Sequence, residues 1–245
     1  MFAKIAIEKK PLSASLLGVC RLCRGILEFE NHAFCYACSD ALPWLHHPCS
    51  HCAMPLDLPA LSSVCGTCQK SPPLYNRCIA ALCYEPPVND LIAHIKTHVH
   101  APETHQLGRQ LAMICEATYN KTWPDMIIPV PLHWTRTLQR GFNQSDNLAH
   151  YIQMSFPKIE IRGDLCKRLK KAPTQHSQSR RRRFSSIENA FTCSTPVSGR
   201  RIAIVDDGVT TGATATALTR ALLNAGAANV DVWCIARTDW HNTQQ

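Results

Sequence analysis

The segment at residues 202–214, IAIVDDGVTTGAT, constrains the fold of this chain more than any other feature. Its first four residues are apolar and predict a buried strand, and the residues after the loop have the apolar spacing of a helix. Such a strand delivers Asp206 and Asp207 to the carboxyl edge of a sheet, where open α/β folds place their ligands. The loop offers glycines, hydroxyls and backbone N–H groups at the positive end of a helix dipole, so it predicts a site for phosphate.

The two adjacent acids extend this prediction beyond the phosphate. Beside a phosphate site, carboxylates can accept hydrogen bonds from vicinal sugar hydroxyls and help to organise Mg²⁺ around a polyphosphate. A plain strand–turn–helix connection and an acidic receiver-type pocket are the other interpretations. The paired acids disfavour the first. The second would use an early strand, whereas this segment lies near the end of the sequence, and it needs no TTGAT loop.

The rest of the chain alternates between strand and helix signals. Strands are predicted at residues 79–84, 126–131, 202–205 and 230–236, and helices at 89–95, 105–119, 144–154 and 213–224. This alternation predicts an α/β fold with a mainly parallel sheet and helices on both faces. The 245 residues are expected to divide into a lead-in at 1–19, a cysteine-rich module at 20–70 and an α/β domain at 75–240.

Eight of the 14 cysteines form four C-x-x-C pairs. Two intervening residues are too few for an easy unstrained disulfide, whereas they suit two thiolates on one tetrahedral metal. Consecutive pairs would build two structural Zn²⁺ sites, although an interleaved pairing satisfies the spacing as well. The even spacing also suggests a duplicated unit. The predicted zinc ligands are Cys20, Cys23, Cys35 and Cys38 for one site, and Cys49, Cys52, Cys65 and Cys68 for the other.

The formal net charge of +8 comes from one segment, because residues 162–183 contain nine Lys and Arg and one acid. The stretch at 167–183, KRLKKAPTQHSQSRRRR, has few apolar residues and predicts a mobile loop. Clustered basic side chains suit the phosphate backbone of single-stranded DNA, and a solvated loop without a partner is the alternative. The candidate nucleic-acid contacts are Lys167, Arg168, Lys170, Lys171, Arg180, Arg181, Arg182 and Arg183.

The 202–214 segment resembles the signature of type I phosphoribosyltransferases, in which four apolar residues and two acids precede a Thr/Gly loop. Gly208 departs from that signature, because an aliphatic residue is usual there. The resemblance implies that the acids contact ribose hydroxyls and that the loop holds the 5-phosphate of phosphoribosyl pyrophosphate, bound with Mg²⁺. By position, the implied phosphoribosyl-binding residues are Asp206, Asp207, Gly208, Val209, Thr210, Thr211, Gly212, Ala213 and Thr214.

A second stretch at residues 129–149, PVPLHWTRTLQRGFNQSDNLA, is predicted to run from a strand end through a loop to a helix. Its arginines could clamp a pyrophosphate if this loop faces the 202–214 segment, and an ordinary solvated loop is the alternative. PVP followed by R-G-x-N-Q resembles the ComF/GntX family, as does YEPPVNDLIAHIK at 84–96. Zinc-ribbon segments are also described in ComF relatives. The candidate pyrophosphate contacts are Arg136, Arg140 and Gly141.

This family resemblance implies a role in natural competence and in the handling of incoming single-stranded DNA. We therefore expect a competence or DNA-utilisation protein that binds phosphoribosyl pyrophosphate with Mg²⁺. Its expected macromolecular partners are single-stranded DNA and DNA-uptake or recombination proteins. The alternative is a true phosphoribosyltransferase that moves ribose 5-phosphate to a base or amine, although the sequence identifies neither an acceptor pocket nor a general base. A ligand-sensing regulator ranks last, because no helix-turn-helix is evident.

The sequence also carries an expectation about location. No uncharged apolar run approaches the ~18–20 residues that span a bilayer. The first residues, MFAKIAIEKKPL, have scattered charges and no signal-peptide pattern. We therefore expect a cytoplasmic protein, peripheral to the uptake machinery of the inner membrane if it meets incoming DNA.

Overall fold

A computed structural model describes residues 18–28, 32–56, 62–119, 122–169 and 190–239. Its core contains a five-stranded sheet in which every neighbouring pair of strands is parallel. In spatial order the strands are β1 (Arg77–Cys83), β7 (Asn229–Arg237), β6 (Arg201–Val209), β2 (Met126–Pro129) and β3 (Glu160–Ile161). The central strands are buried on both faces, as covered parallel strands are. The predicted α/β fold with a mainly parallel sheet is therefore confirmed.

Secondary structure covers both faces of this sheet. One face carries α3 (Val88–Ile95), α4 (Pro102–Thr118) and α6 (Gln144–Gln153). The other carries α7 (Ala213–Asn224) and an antiparallel hairpin of β4 (Cys166–Arg168) and β5 (Phe191–Cys193). From Ile202 to Val205, the side chains of β6 alternate between the two apolar cores. In the described ranges, none of the helices is long and apolar enough to cross a membrane.

Three local features differ from the expectation. The predicted loop within the 129–149 stretch contains a helix, α5 (Trp134–Arg140), which has no buried residue. Only one apolar pair at helical spacing, Trp134 and Leu138, was there to indicate it. The predicted mobile loop at 167–183 begins with β4, whose pairing with β5 holds it extended. Strand β6 runs to Val209 instead of ending at residue 205, because β7 pairs with it over that length.

The cysteine-rich region contains two five-residue helices, α1 (Tyr36–Asp40) and α2 (Gly66–Lys70). Leu27, Phe34 and Leu42 from this region join the apolar core under α3 and α4. Trp44 forms an isolated antiparallel bridge with Leu82 of β1. The cysteine-rich region is therefore packed against the sheet and its helices.

Candidate functional site

The loop after β6 forms a cleft at the carboxyl edge of the sheet. The cleft is lined by Asp206 and by residues 208–215. Gly212 precedes α7 with φ of +75°, a conformation that side-chain-bearing residues rarely adopt. The loop is further shaped by Thr211, whose Oγ1 accepts a hydrogen bond from the Ala213 N–H at 3.2 Å. The cleft thus meets the positive end of α7, which suits an anion.

The two acids of β6 have different surroundings. Asp206 lines the cleft and accepts a hydrogen bond from Ser145 Oγ at 3.2 Å. Asp207 is 5% exposed and accepts a hydrogen bond from Gln144 Nε2 at 3.4 Å. Its other oxygen, Oδ2, lies 2.6 Å from Lys96 Nζ. One acid is therefore available to a ligand in the cleft, while the other is held by a cation on the α3 side.

These surroundings change the proton affinities of the site. Burial and the charge of Asp207 raise the pKa of Asp206 well above 3.8, and the backbone N–H of Asp207 and the charge of Lys96 only partly oppose them. Burial lowers the pKa of Lys96, but the charge and hydrogen bond of Asp207 outweigh it and raise that pKa above 10.5. Lys96 is thus a permanent cation, and Asp206 holds a proton more readily than an ordinary aspartate does.

The R-G-F-N-Q stretch connects α5 to α6 and faces the acid pair. Gly141 ends α5 in the left-handed conformation, with φ of +78°. Arg140 Nη1 donates to Gln144 Oε1 at 3.2 Å, so one amide side chain separates Arg140 from Asp207. Arg136 is exposed on α5. The stretch therefore lies beside the acid pair, and contact of Arg136, Arg140 and Gly141 with pyrophosphate stays a prediction.

Three polar residues at this site were not among the predicted contacts: Lys96, Gln144 and Ser145. Lys96 closes the 84–96 motif, and Gln144 closes R-G-F-N-Q, so each stood in a stretch already singled out. Their convergence on the acid pair could not be deduced, because the contacts of Gln144 and Ser145 with β6 join residues 63 and 61 positions apart. The signal available in the sequence was that Lys96 and Gln144 are polar residues at the ends of two family motifs.

The paired cysteines gather into two groups, within each of which all four sulfur atoms lie within 4.8 Å of one another. A tetrahedral zinc ion with Zn–S distances of about 2.3 Å separates its sulfurs by about 3.8 Å. The distances from Cys23 Sγ to Cys35 Sγ and from Cys52 Sγ to Cys65 Sγ are both 3.7 Å, so the groups fit zinc. Consecutive pairs are grouped, which excludes interleaving. The groups are Cys20, Cys23, Cys35 and Cys38, and Cys49, Cys52, Cys65 and Cys68.

The two cysteine groups are copies of one local structure, as their spacing suggested. The residue after each first pair, Arg24 or Ala53, has a left-handed φ of 65° or 56°. The first cysteine of each copy donates its N–H to the carbonyl five residues later, at 2.7 and 2.8 Å. The second pair begins at the N-cap of α1 or α2. Each copy is therefore a knuckle followed by a short helix, and each could hold one structural zinc ion.

The copies dock on different parts of the α/β domain. In the first, Arg21 Nε donates to Oε1 of the buried Glu103 of α4 at 2.9 Å. In the second, the His51 carbonyl accepts a hydrogen bond from the Cys78 N–H of β1 at 2.8 Å. The first copy is thus attached to a helix and the second to the sheet.

Only the start of the basic segment lies in the described part of the chain. Lys167 is exposed on β4, whereas the Arg168 guanidinium lies over the Phe191 ring, 5.2 Å from its centroid. Burial and repulsion by Arg136 lower the pKa of Arg168, and Asp206 acts in the opposite direction. Arg168 is thus within electrostatic reach of the cleft. The remaining candidates lie outside the described residues: Lys170, Lys171, Arg180, Arg181, Arg182 and Arg183.

No protein-family model matches the chain. The DNA utilization protein YhgH of Salmonella typhi is 35% identical over 228 residues, which cover 90% of this chain and 97% of that protein. Competence protein F of Haemophilus influenzae is 30% identical over 226 residues, which cover 89% of this chain and 96% of that protein. A solved glutamine phosphoribosylpyrophosphate amidotransferase from B. subtilis is 21% identical, with a TM-score of 0.35 over 53% of this chain and 25% of its own. On the identity and coverage of the first two relatives, the chain belongs to the family of DNA utilization and competence proteins, the ComF family that its motifs resemble.

Proposed function

We propose that this protein binds phosphoribosyl pyrophosphate with Mg²⁺ in the cleft after β6 and acts in DNA utilisation. The observation that carries the proposal is the cleft itself, in which Asp206 and residues 208–215 meet the positive end of α7. An anionic group is stabilised there by the helix dipole and by N–H groups without helical partners. The names of the relatives, DNA utilization protein and competence protein F, support the cellular role.

Each part of the ligand has a matching group in the site. The 5-phosphate would bind to the loop from Thr210 to Thr214, which offers N–H groups and hydroxyls. Ribose hydroxyls would donate to Asp206, whose carboxylate lies on the wall of the cleft. The diphosphate would then extend toward Arg136 and Arg140, where a guanidinium can bind phosphate bidentately.

The acid pair also fits Mg²⁺ on chemical grounds. This ion prefers one or two carboxylates together with phosphate oxygens and waters, and Asp206 presents such a carboxylate in the cleft. Bound Mg²⁺ would supply positive charge that neutralises the diphosphate. For the two cysteine groups we propose structural zinc, because four thiolates complete a tetrahedron and leave no open position.

The DNA part of the proposal assigns the basic segment to a phosphate backbone. Lys167 is its exposed lysine on β4 and a candidate first contact. Affinity for single-stranded oligonucleotides should fall steeply with salt, since each neutralised phosphate releases counterions. Binding that is absent or insensitive to salt would contradict this part and leave the ligand cleft unaffected. Docking to uptake or recombination proteins belongs to the same proposal.

Calorimetric titration with phosphoribosyl pyrophosphate tests the cleft. We expect the wild type to bind with Mg²⁺ present, and Asp206→Asn to weaken binding about 10-fold or more, the effect of a lost hydrogen bond to a charged group. Asp164→Asn is the control, because Asp164 is exposed and pairs with Arg162 away from the cleft. No binding by the wild type would overturn the proposal. Pyrophosphate release on addition of bases or amines would instead assign a transferase.

A further inference from the structure

The second cysteine knuckle is bonded to the ligand loop through Arg237, the last residue of β7. Arg237 is 3% exposed, and its Nε donates to the Cys52 carbonyl at 2.8 Å. Its Nη1 donates to the Val209 carbonyl at 3.0 Å and also to the Thr210 carbonyl. One guanidinium therefore joins a metal-ligand residue of the second cysteine group to the point where the loop leaves β6.

A second contact supports the loop from the same side. Tyr75 is 4% exposed, and its hydroxyl lies 3.3 Å from the position that a Cβ would occupy at Gly212. Tyr75 also belongs to the buried apolar cluster that contains Ala53 of the knuckle and Val209 of β6. Arg237 and Tyr75 thus both support the loop from the side of the knuckle.

Arg237 can position the loop only while the knuckle keeps its shape. A buried guanidinium needs fixed acceptors, and here the acceptors are backbone carbonyls whose directions depend on local conformation. The knuckle turns through Ala53, which has a positive φ, and its cysteines converge on one point with Cys65 and Cys68. A metal ion would hold together four thiols that converge in this way, so loss of the ion would release the Cys52 carbonyl.

We propose that Arg237 is a positioning residue that couples the second cysteine group to the ligand loop, so that metal bound there sets the order of a loop that the metal does not touch. For the identity of the loop's ligand this inference rests on the proposed function. The named hydrogen bonds of Arg237 all go to backbone carbonyls, so Arg237 acts on a ligand through the loop. Because coupling between two sites is reciprocal, a ligand in the cleft should also retain metal in the second group.

Hydrogen exchange of the zinc-loaded full-length protein tests the coupling without any ligand. Arg237→Lys keeps the charge but cannot bridge Cys52 and the loop as a fork does. We expect amides of residues 206–214 to exchange about 10-fold faster or more in this variant, the factor for one lost hydrogen bond to a charged group, with β2 unchanged. Arg201→Lys is the matched control, because it makes the same substitution at the other end of β6. Unchanged exchange in the loop, or equal acceleration of loop and β2, would overturn the proposal.

A second measurement uses the wild type and so does not depend on the folding of a variant. Release of zinc to a chromogenic chelator is followed with and without phosphoribosyl pyrophosphate and Mg²⁺, while calorimetry reports whether the ligand binds. Slower release of one of the two zinc ions supports the coupling. If the ligand binds and both ions leave at unchanged rates, the coupling is excluded. If the ligand does not bind, the proposed function fails, and the exchange result alone decides the role of Arg237.

Discussion

The ammonium nitrogen of Lys96 lies 2.6 Å from Oδ2 of Asp207, and this contact joins the residue after α3 to the acid pair of β6. The Asp207 side chain is 8% exposed and that of Lys96 is 34% exposed, so the pair is shielded mainly on the acid side. Two residues at the start of α6 contact the same acids. Ser145 donates a hydrogen bond to Asp206, and Gln144 donates one to the other oxygen of Asp207. Three elements thus meet at one sheet edge before any ligand arrives.

Replacing Lys96 by Met should leave a buried carboxylate without its cation. We expect a loss of about 2–3 kcal/mol in the free energy of unfolding, below the full value for a buried pair because Lys96 is partly exposed. Denaturant titration measures this loss. In the double variant Lys96→Met/Asp207→Asn the charge is gone, so much of the loss should be recovered. Additive losses in the double variant would show that the pair does not interact.

The left-handed turn at Gly212 can be tested against a matched glycine. Gly212 and Gly199 have φ of +75° and +72°, but only at Gly212 would a Cβ meet a neighbour within 4 Å, the Tyr75 hydroxyl. Alanine at either position should cost about 1 kcal/mol of stability from the backbone conformation. Only Gly212→Ala should also weaken the binding of phosphoribosyl pyrophosphate in a calorimetric titration. Equal affinity in the two variants would argue against the loop as the ligand site.

Arg168 and Lys167 are neighbours on β4 with different surroundings, so we expect Arg168 to contact the diphosphate of a ligand and Lys167 to contact DNA. Arg168 stacks on Phe191 within reach of Asp206 and Arg136, so we expect Arg168→Ala to weaken binding of phosphoribosyl pyrophosphate about 10-fold. Ribose 5-phosphate lacks the diphosphate, so its affinity should not change. The Lys167→Ala variant should retain both affinities and show a reduced salt slope for single-stranded DNA. Equal effects of Arg168→Ala on both ligands would contradict a diphosphate role.

The pKa of Asp206 predicts how stability depends on pH. Because folding raises this pKa above 3.8, the native state binds a proton that the unfolded chain releases. The stability contribution of Asp206 is therefore complete at pH values below 3.8 and is lost as the pH rises through the raised native pKa. At alkaline pH, Asp206→Asn should raise the free energy of unfolding by about 1 kcal/mol, while its ligand binding is weakened as above. Thermal melts across the pH range measure this, and a gain that is equal at all pH values would refute it.

Metal content tests the two cysteine groups directly. Since eight thiols form two groups, we expect two zinc ions per chain by elemental analysis. Cys65→Ser should leave one ion, because a serine hydroxyl is a poor zinc ligand. Strong chelators should remove both ions and lower the melting temperature, since metal binding contributes to folding. A single ion in the wild type, or melting unaffected by chelation, would contradict the assignment.

The parts of the fold that were predictable are those whose signals are local. The apolar run before Asp206 predicted a buried central strand, and the TTGAT loop predicted the start of α7. The C-x-x-C spacing predicted two groups of four thiols. In each case neighbouring residues carry the information, so no distant contact had to be known. The predicted domain boundaries stay a prediction.

The parts that were missed depend on distant contacts. Gly208 is a poor strand residue, yet β6 includes it because it pairs with Ala236 of β7. Helix α5 offers a single apolar pair, Trp134 and Leu138, and both side chains are exposed, so periodicity gave too short a signal. Arg237 drew no attention because it lies one residue beyond the strand predicted at 230–236, although it bonds to Cys52, 185 positions away. Such roles become visible only once the chain is folded.

The two cysteine copies share one local structure but not one set of neighbours. The first copy is attached through Arg21 to Glu103 of α4, and the second through Cys52 to Arg237 beside the loop. The copies are equivalent toward a metal ion but unequal toward the rest of the chain, so exchanging one for the other would break a contact that only its own sequence can make.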